Sequence, residues 1–145
     1  MNEKSGFQDS WLVCRAGSHL CALPLGQTLE VMRLLAIEPL ADAPAFLRGL
    51  AVIRGAPVPV LDLARVLGQA RTTVERIVTI RAGGRVLGLA VAEVVGVRRR
   101  DEIGPHAPVP LLRAAAQDAI SSIGTLDSEV LLFLEGLKLL EGVPA

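Results

Sequence analysis

Three pairs of short apolar segments, each joined by a compact turn, constrain the fold of this 145-residue chain more than any other feature. The pairs are residues 11–16 and 19–23 around Gly17-Ser18, residues 73–82 and 85–91 around Gly83-Gly84, and residues 119–125 and 130–134 around a polar turn at 126–129. Compact glycine-rich or polar turns between such segments are typical of β-hairpins. Long amphipathic helices are missing between them. The pattern therefore predicts an all-β barrel or sandwich and argues against a dinucleotide-binding sheet of βαβ units.

Two further apolar runs, at residues 50–53 and 58–63, are rich in Val, Ile and Leu and predict two more strands. Pro57 and Pro59 cannot donate a ladder hydrogen bond, so we expect the second strand to begin at a sheet edge or a bulge. Residues 28–35 fit a strand and a short helix equally well.

Helical signals are confined to short segments. A proline at the first position and a glycine at the last predict one helical turn over residues 44–49. Three more short helices are predicted, at residues 64–67, 111–116 and 137–140. We interpret residues 1–9 as a disordered lead-in, residues 10–141 as a single domain with two barrel-like subdomains, and residues 142–145 as a tail.

Composition excludes several classes of partner. The 15 basic and 15 acidic residues balance, so the chain lacks the positive excess of proteins that bind nucleic acid or anionic lipid. Aromatic residues make up only 3%, which argues against a base-stacking platform. Since no apolar run reaches the roughly 18 residues of a membrane helix, and residues 1–10 lack an apolar signal segment, we expect a cytoplasmic protein.

The sequence lacks a recognisable catalytic constellation. It contains no phosphate-binding GxxxxGK loop, no GxSxG elbow and no HExxH motif, and its histidines are His19 and His106. The carboxylates form no pair that stands out from ordinary surface charge. The residues alone therefore supply no candidate catalytic site.

The first hairpin brings two thiols and an imidazole together. If Gly17-Ser18 is its turn, Cys14 lies opposite Cys21, and both share one face with His19. Three ligands on one face suggest a metal, and opposed cysteines suggest a disulfide. A structural zinc site needs a fourth ligand, which is not evident nearby, and a cytosolic protein keeps its thiols reduced. Because Leu12 and Leu23 share the face, we expect both cysteines to be buried free thiols.

The segment from 46 to 63 carries a family resemblance. Residues 46–49 read Phe-Leu-Arg-Gly, residues 50–55 read Leu-Ala-Val-Ile-Arg-Gly and residues 58–63 read Val-Pro-Val-Leu-Asp-Leu. These segments resemble the signature of CheW-like chemotaxis coupling proteins, which runs aromatic-Ile-Arg/Lys-Gly, then an apolar strand ending in Asn-Leu-Arg-Gly, then Pro-Val-Ile/Val-Asp-Leu. Residues 29–31, Leu-Glu-Val, are similar to that family's Val-x-Glu-Ile/Val segment, and the resemblance extends over residues 10–141.

The resemblance implies an all-β fold of two intertwined five-stranded barrels with a shared apolar seam. It also implies no enzyme activity and no cofactor, and instead a non-enzymatic adaptor that couples the cytoplasmic tip of chemoreceptors to the regulatory domain of a CheA-type histidine kinase. By the same resemblance, Glu30 and Arg54 occupy positions where family members meet partners. Leu50, Val58 and Val60 match apolar positions that line either the core or an interface.

Several alternatives stay open at this point. The chain could be a divergent CheW-like module that partners another regulator, a small-molecule-binding β-barrel, or an enzyme of unknown type. Arg54 has two interpretations of its own. It is either a partner contact at the end of an apolar strand, or a residue that pairs within its own chain, with Glu30 or with Asp62.

Overall fold

The computed structural model describes residues 9–104, 107–108 and 119–141. The strands within these residues are β1 (Ser10–Ala16), β2 (His19–Pro24), β3 (Thr28–Arg33), β4 (Leu47–Ile53), β5 (Ala56–Asp62), β6 (Arg76–Ala82), β7 (Arg85–Val91), β8 (Glu93–Arg99), β9 (Ala107–Pro108), β10 (Ile120–Leu126) and β11 (Glu129–Leu134). The helical segments are short: a 3₁₀ turn at Leu25–Gln27, an α-helix at Leu63–Val66, a 3₁₀ turn at Arg100–Glu102 and an α-helix at Gly136–Glu141. None of the described helices is long and apolar enough to cross a membrane.

The strands form two sheets that exchange along the chain. One sheet has the order β8-β1-β2-β11-β10-β9, in which β9 is only two residues long, and the other has the order β3-β6-β7-β5-β4. The chain thus starts in the first sheet, builds the whole second sheet, and returns to complete the first. The predicted all-β fold of two intertwined halves with few short helices is confirmed.

All three predicted hairpins are present. The strand β1 pairs antiparallel with β2, β6 with β7, and β10 with β11. The third turn is tighter than predicted, because Asp127 and Ser128 both adopt positive φ (49° and 67°) and close a two-residue loop. Residues 28–35, which fitted two structures, form strand β3 up to Arg33.

The predicted helical turn at residues 44–49 is wrong, because β4 begins at Leu47. One local bond of the turn exists, from the Leu47 amide to the Pro44 carbonyl (3.0 Å). After this bond the chain joins the sheet, because the Asp62 amide donates to the Phe46 carbonyl (2.7 Å). Gly49 also has a φ of 140°, which is far outside the helical region.

Two of the other predicted helices are confirmed, with bounds that differ by about a residue. The helix Leu63–Val66 begins one residue early because the Asp62 carboxylate caps it, accepting from the Arg65 amide (3.4 Å). The predicted helix at 111–116 and the tail at 142–145 lie outside the described residues, as does the lead-in apart from Asp9.

One hydrophobic core joins the two sheets. It contains Leu12 and Leu23 from the first sheet together with Leu61 and Leu89 from the second, all buried. A smaller cluster fills each sheet's own half. The apolar seam that the resemblance implies is therefore present, and each sheet is a rigid support for the other.

Candidate functional site

A groove of about 630 Å³ opens between β3 and the β4–β5 hairpin, with β6 and β7 beneath it. It exists because β5 pairs with β7 only from Val60 to Asp62. Pro57 and Pro59 occupy the earlier half of β5, and neither has an N–H for a ladder bond. The two strands separate there and leave the groove. On its β7 side, β5 thus begins unpaired, as its prolines predict.

Glu30 reaches this groove through a bulge in β3. The register between β3 and β6 shifts between Thr28 and Glu30. At the shift the buried Thr79 hydroxyl accepts a hydrogen bond from the Glu30 amide (3.1 Å) and donates one to the Glu30 carbonyl (3.3 Å). The hydroxyl replaces the interrupted ladder and fixes the backbone from which the carboxylate projects.

Arg54 reaches the groove from the β4–β5 turn. Arg54 has a φ of 53° and Gly55 a φ of 79°, so both central residues of the turn are left-handed, as the twist of a two-residue hairpin requires. Glycine and asparagine adopt this conformation readily, whereas arginine is strained in it. Backbone preference therefore does not explain the arginine, and its side chain must.

The two side chains form a bidentate ion pair across the groove. Arg54 Nε donates to Glu30 Oε1 (3.0 Å) and Arg54 Nη2 donates to Glu30 Oε2 (2.9 Å). The hydrogen bond from Arg54 lowers the pKa of Glu30, and the hydrogen bond to Glu30 raises the pKa of Arg54. The Arg54 side chain is 79% exposed and that of Glu30 34% exposed. Arg54 thus pairs within its own chain, with Glu30 and not with Asp62, yet remains on the surface.

The remaining predicted site residues separate into different environments. Val58 is buried and lines the groove. Val60 has no exposed surface and packs in the core of the five-stranded sheet, so its side chain cannot touch a partner in this conformation. Leu50 is half-buried outside the groove, and its backbone exchanges two hydrogen bonds with Glu38 (2.8 and 2.9 Å). The structure therefore brings Glu30, Arg54 and Val58 together.

Other residues of the 46–63 segment have structural roles. Arg48 Nε donates to the buried Asp62 carboxylate (3.0 Å), and this largely buried pair ties β4 to the end of β5. A side chain at Gly49 would collide with the Glu38 carbonyl oxygen, so this position accepts only glycine. Arg48, Gly49 and Asp62 of this segment therefore each have a structural role in the β4–β5 pair.

A family model for the CheW-like domain matches residues 10–143. The chain belongs to the CheW-like domain family. It is similar to Protein FrzA of Myxococcus xanthus, with 30% identity over 131 residues that cover 88% of this chain and 82% of that protein. Members of this family are scaffold proteins of chemotaxis-type signalling.

The fold is also that of a solved CheW. The scaffolding protein TtCheW from Thermoanaerobacter tengcongensis superposes with a TM-score of 0.76 over 92% of this chain and 93% of its own. Sequence identity to TtCheW is 23%, so this similarity supports the fold alone. The CheW-like resemblance seen in the 46–63 segment is thereby confirmed.

The opposed cysteines of this CheW-like chain are part of the core. Cys14 pairs with Cys21 across β1 and β2, as predicted, and both are buried free thiols. Burial raises the pKa of Cys14 to about 12 and that of Cys21 well above its ordinary value. Among residues 9–104, 107–108 and 119–141, no group of three His, Cys, Asp or Glu side chains is placed to bind a metal ion.

Two charged residues of the groove, Arg81 and Arg85, were not predicted as site residues from the sequence. Arg81 is the last exposed residue of β6, and Arg85 is the first residue of β7. Both therefore lie at the edge of the groove, beside the Gly83-Gly84 turn. The hairpin signal placed them on neighbouring strands. Their position near Glu30 and Arg54 follows only from the sheet order, which puts β6 and β7 between β3 and β5.

Proposed function

We propose that this chain is a non-enzymatic adaptor that couples chemoreceptors to a CheA-type histidine kinase. The observation that carries the proposal is the groove with Glu30 and Arg54 at its rim and Val58 at its base. It is an open apolar surface bordered by charge, which is the composition of a protein docking site. By the family resemblance, Glu30 and Arg54 are positions of partner contact.

An adaptor needs a second surface, and a second groove supports this part of the proposal. It has a volume of about 510 Å³ and lies along the segment between β3 and β4. Leu34, Leu35 and Leu40 are exposed in it, and exposed apolar residues that share one groove are typical of interaction surfaces. The two grooves share no lining residue. Two partners could therefore occupy the molecule at once, one on each.

The proposal also includes the domain organisation of the chain and its location in the cell. Residues 10–141 would act as a single domain, with residues 1–9 and 142–145 outside it. The regulatory domain of the kinase and the cytoplasmic tip of the receptor would be its partners, so it would work in the cytoplasm. Neither nucleic acid nor direct membrane insertion has a part in this role.

The test is a reconstitution of bridging. Vesicles that carry the chemoreceptor encoded nearest to this gene are sedimented with the full-length CheA-type kinase encoded nearest to it, with and without the chain. We expect the kinase to sediment with the vesicles only when the chain is present. Kinase that stays in the supernatant at saturating chain would contradict the proposal. Binding of the chain to vesicles but not to kinase would favour a module that serves another regulator.

A further inference from the structure

The first groove carries an excess of positive charge. Its charged lining residues are Glu30, Arg54, Arg81 and Arg85, and the single carboxylate among them is already engaged by Arg54. Within the described part of the chain, neither Arg81 nor Arg85 forms an ion pair, and both are exposed. The chain as a whole has a formal net charge of zero. The two arginines are therefore a local, uncompensated feature and not a reflection of a basic protein.

The apolar part of the groove lies between these charges. Ile53 and Val58 are buried at its base, Val86 is half-buried, and Leu29 is exposed on the β3 side. Since β6 and β7 lie between β3 and β5, the two free arginines stand on the floor strands, beside this apolar area. A space of about 630 Å³ accommodates more than one side chain of a docked segment.

These two features together specify the chemistry of an occupant. Guanidinium groups at an apolar rim bind carboxylates with paired hydrogen bonds, and such contacts decide partner choice and rate of association. An apolar surface beside them removes water from those bonds and strengthens them.

We infer that this groove receives a partner segment in which an apolar side chain is flanked by carboxylates, and that Arg81 and Arg85 select for those acidic flanks. The inference rests on the proposed function, because it names the chemistry of the surface that the kinase would present to this groove. A partner whose surface was basic at this place would meet two unpaired cations and be rejected.

The first experiment measures the affinity of the full-length CheA-type kinase for charge-reversal variants. We expect Arg81→Glu and Arg85→Glu each to weaken binding by about tenfold or more, and wild-type binding to weaken as salt rises. Arg76→Glu is the matched control, because Arg76 is exposed on the same strand β6 but lies outside the groove. Its affinity should stay within about twofold of wild type.

A second experiment identifies the partner carboxylates directly. The chain has only two lysines, Lys4 and Lys138; Lys138 lies outside the groove, and Lys4 precedes the described residues. Lysine introduced by Arg81→Lys or Arg85→Lys can be joined to a neighbouring carboxylate by a zero-length carbodiimide, which forms an amide with loss of water. We expect each variant to give a cross-link to an Asp or Glu of the kinase, read by mass spectrometry. Arg76→Lys should give none.

The outcomes separate the two proposals. If wild-type chain fails to bind the kinase at all, the proposed function is wrong. If the kinase binds but Arg81→Glu and Arg85→Glu bind as well as wild type, only this inference is overturned. Equal cross-linking of Arg76→Lys would likewise overturn it. Circular dichroism of each variant shows that a loss of affinity does not come from unfolding.

Discussion

At the scale of single residues, Arg54 combines a strained backbone with an exposed ion pair. Its left-handed φ of 53° is disfavoured for any residue with a Cβ, and its guanidinium pairs with the Glu30 carboxylate of β3 across the groove. An ion pair this exposed contributes little to folding because water and salt screen it. Neither the strained backbone nor the exposed pair benefits folding, and we therefore propose that Arg54 serves contact with a partner.

We therefore expect Arg54→Gly to unfold at a temperature equal to or above that of the wild type. Glycine relieves the left-handed strain, and the lost ion pair is exposed. Arg54→Ala is the matched control, because it removes the same ion pair but keeps a Cβ in the strained left-handed conformation. Its melting temperature should be lower than that of Arg54→Gly. Differential scanning calorimetry compares the three proteins. A melting temperature for Arg54→Gly several degrees below that of wild type would show that the ion pair stabilises the fold.

The two buried thiols have a pH dependence whose sign follows from their surroundings. Burial raises the pKa of Cys14 from 9.0 to about 12, so the folded state holds its proton to higher pH than the unfolded state. The stability that this gives is fully present below pH 9 and is lost as the pH rises from 9 toward 12.

The same burial predicts a slow thiol titration. At pH 8 the native chain should react with a thiol reagent far more slowly than the chain in urea, and the unfolded chain should give two groups. Rapid reaction of the native protein would mean that the hairpin opens. Fewer than two groups in urea without reductant would mean that Cys14 and Cys21 form a disulfide.

At the scale of elements, sequence pattern was sufficient where neighbouring residues decide the structure. Gly83-Gly84 predicted the β6–β7 hairpin, and Pro57 with Pro59 predicted that β5 begins at a sheet edge or a bulge; its β7 side is indeed unpaired up to Val60. The prediction of a helical turn at residues 44–49 was wrong because a proline and a later glycine also suit the two ends of such a turn. The strand there depends on hydrogen bonds from distant residues, Glu38 and Asp62, which local pattern does not contain.

The candidate site shows the same limit. Glu30 and Arg54 followed from a resemblance, and Arg54 was notable by its place between two apolar strands. Arg81 and Arg85 could not be assigned, because their distance from Glu30 depends on the order of the strands. Val60 could not be placed either, since a core valine and an interface valine in β5 occupy the same alternation.

The Arg48–Asp62 pair makes a prediction about how β4 and β5 hold together. Asp62→Asn leaves the largely buried Arg48 without a charged partner, and we expect the free energy of unfolding to fall by about 2–4 kcal/mol. Urea denaturation measures it. Asp101→Asn is the control, because its pair with Arg99 is exposed and should contribute under about 0.5 kcal/mol. Equal losses in the two variants would contradict this role for Asp62.

The close approach of Gly49 to the Glu38 backbone leads to a further prediction about stability. Gly49 has a φ of 140°, and an added Cβ would meet the Glu38 carbonyl, so Gly49→Ala must displace the segment before β4. We expect it to lower the free energy of unfolding by roughly 2 kcal/mol or more. Gly26→Ala is the control, because nothing lies within 4 Å of its Cβ and its φ is not left-handed. A stable Gly49→Ala would show that this segment is free to move.

At the scale of the whole molecule, the shared core explains how a small chain can present rigid surfaces. The cluster that contains Leu12 and Leu61 packs the two sheets against each other, so the five-stranded sheet is supported through β5, β6 and β7. The first groove is formed by β3, by the β4–β5 hairpin and by β6 and β7, all in that sheet. Docking on such a surface requires little reordering of the backbone, and this keeps the entropic cost of binding low.

If the first groove docks the kinase, as we propose, the loss of the Arg54 side chain must weaken the binding of the kinase, and Arg54→Gly removes that side chain without straining the turn. The variant is measured by titration calorimetry against the full-length CheA-type kinase, beside wild type and Arg76→Gln. We predict binding about five- to hundredfold weaker for Arg54→Gly, with an unchanged or higher melting temperature, and near-wild-type binding for Arg76→Gln. An affinity for Arg54→Gly equal to that of wild type would contradict the claim.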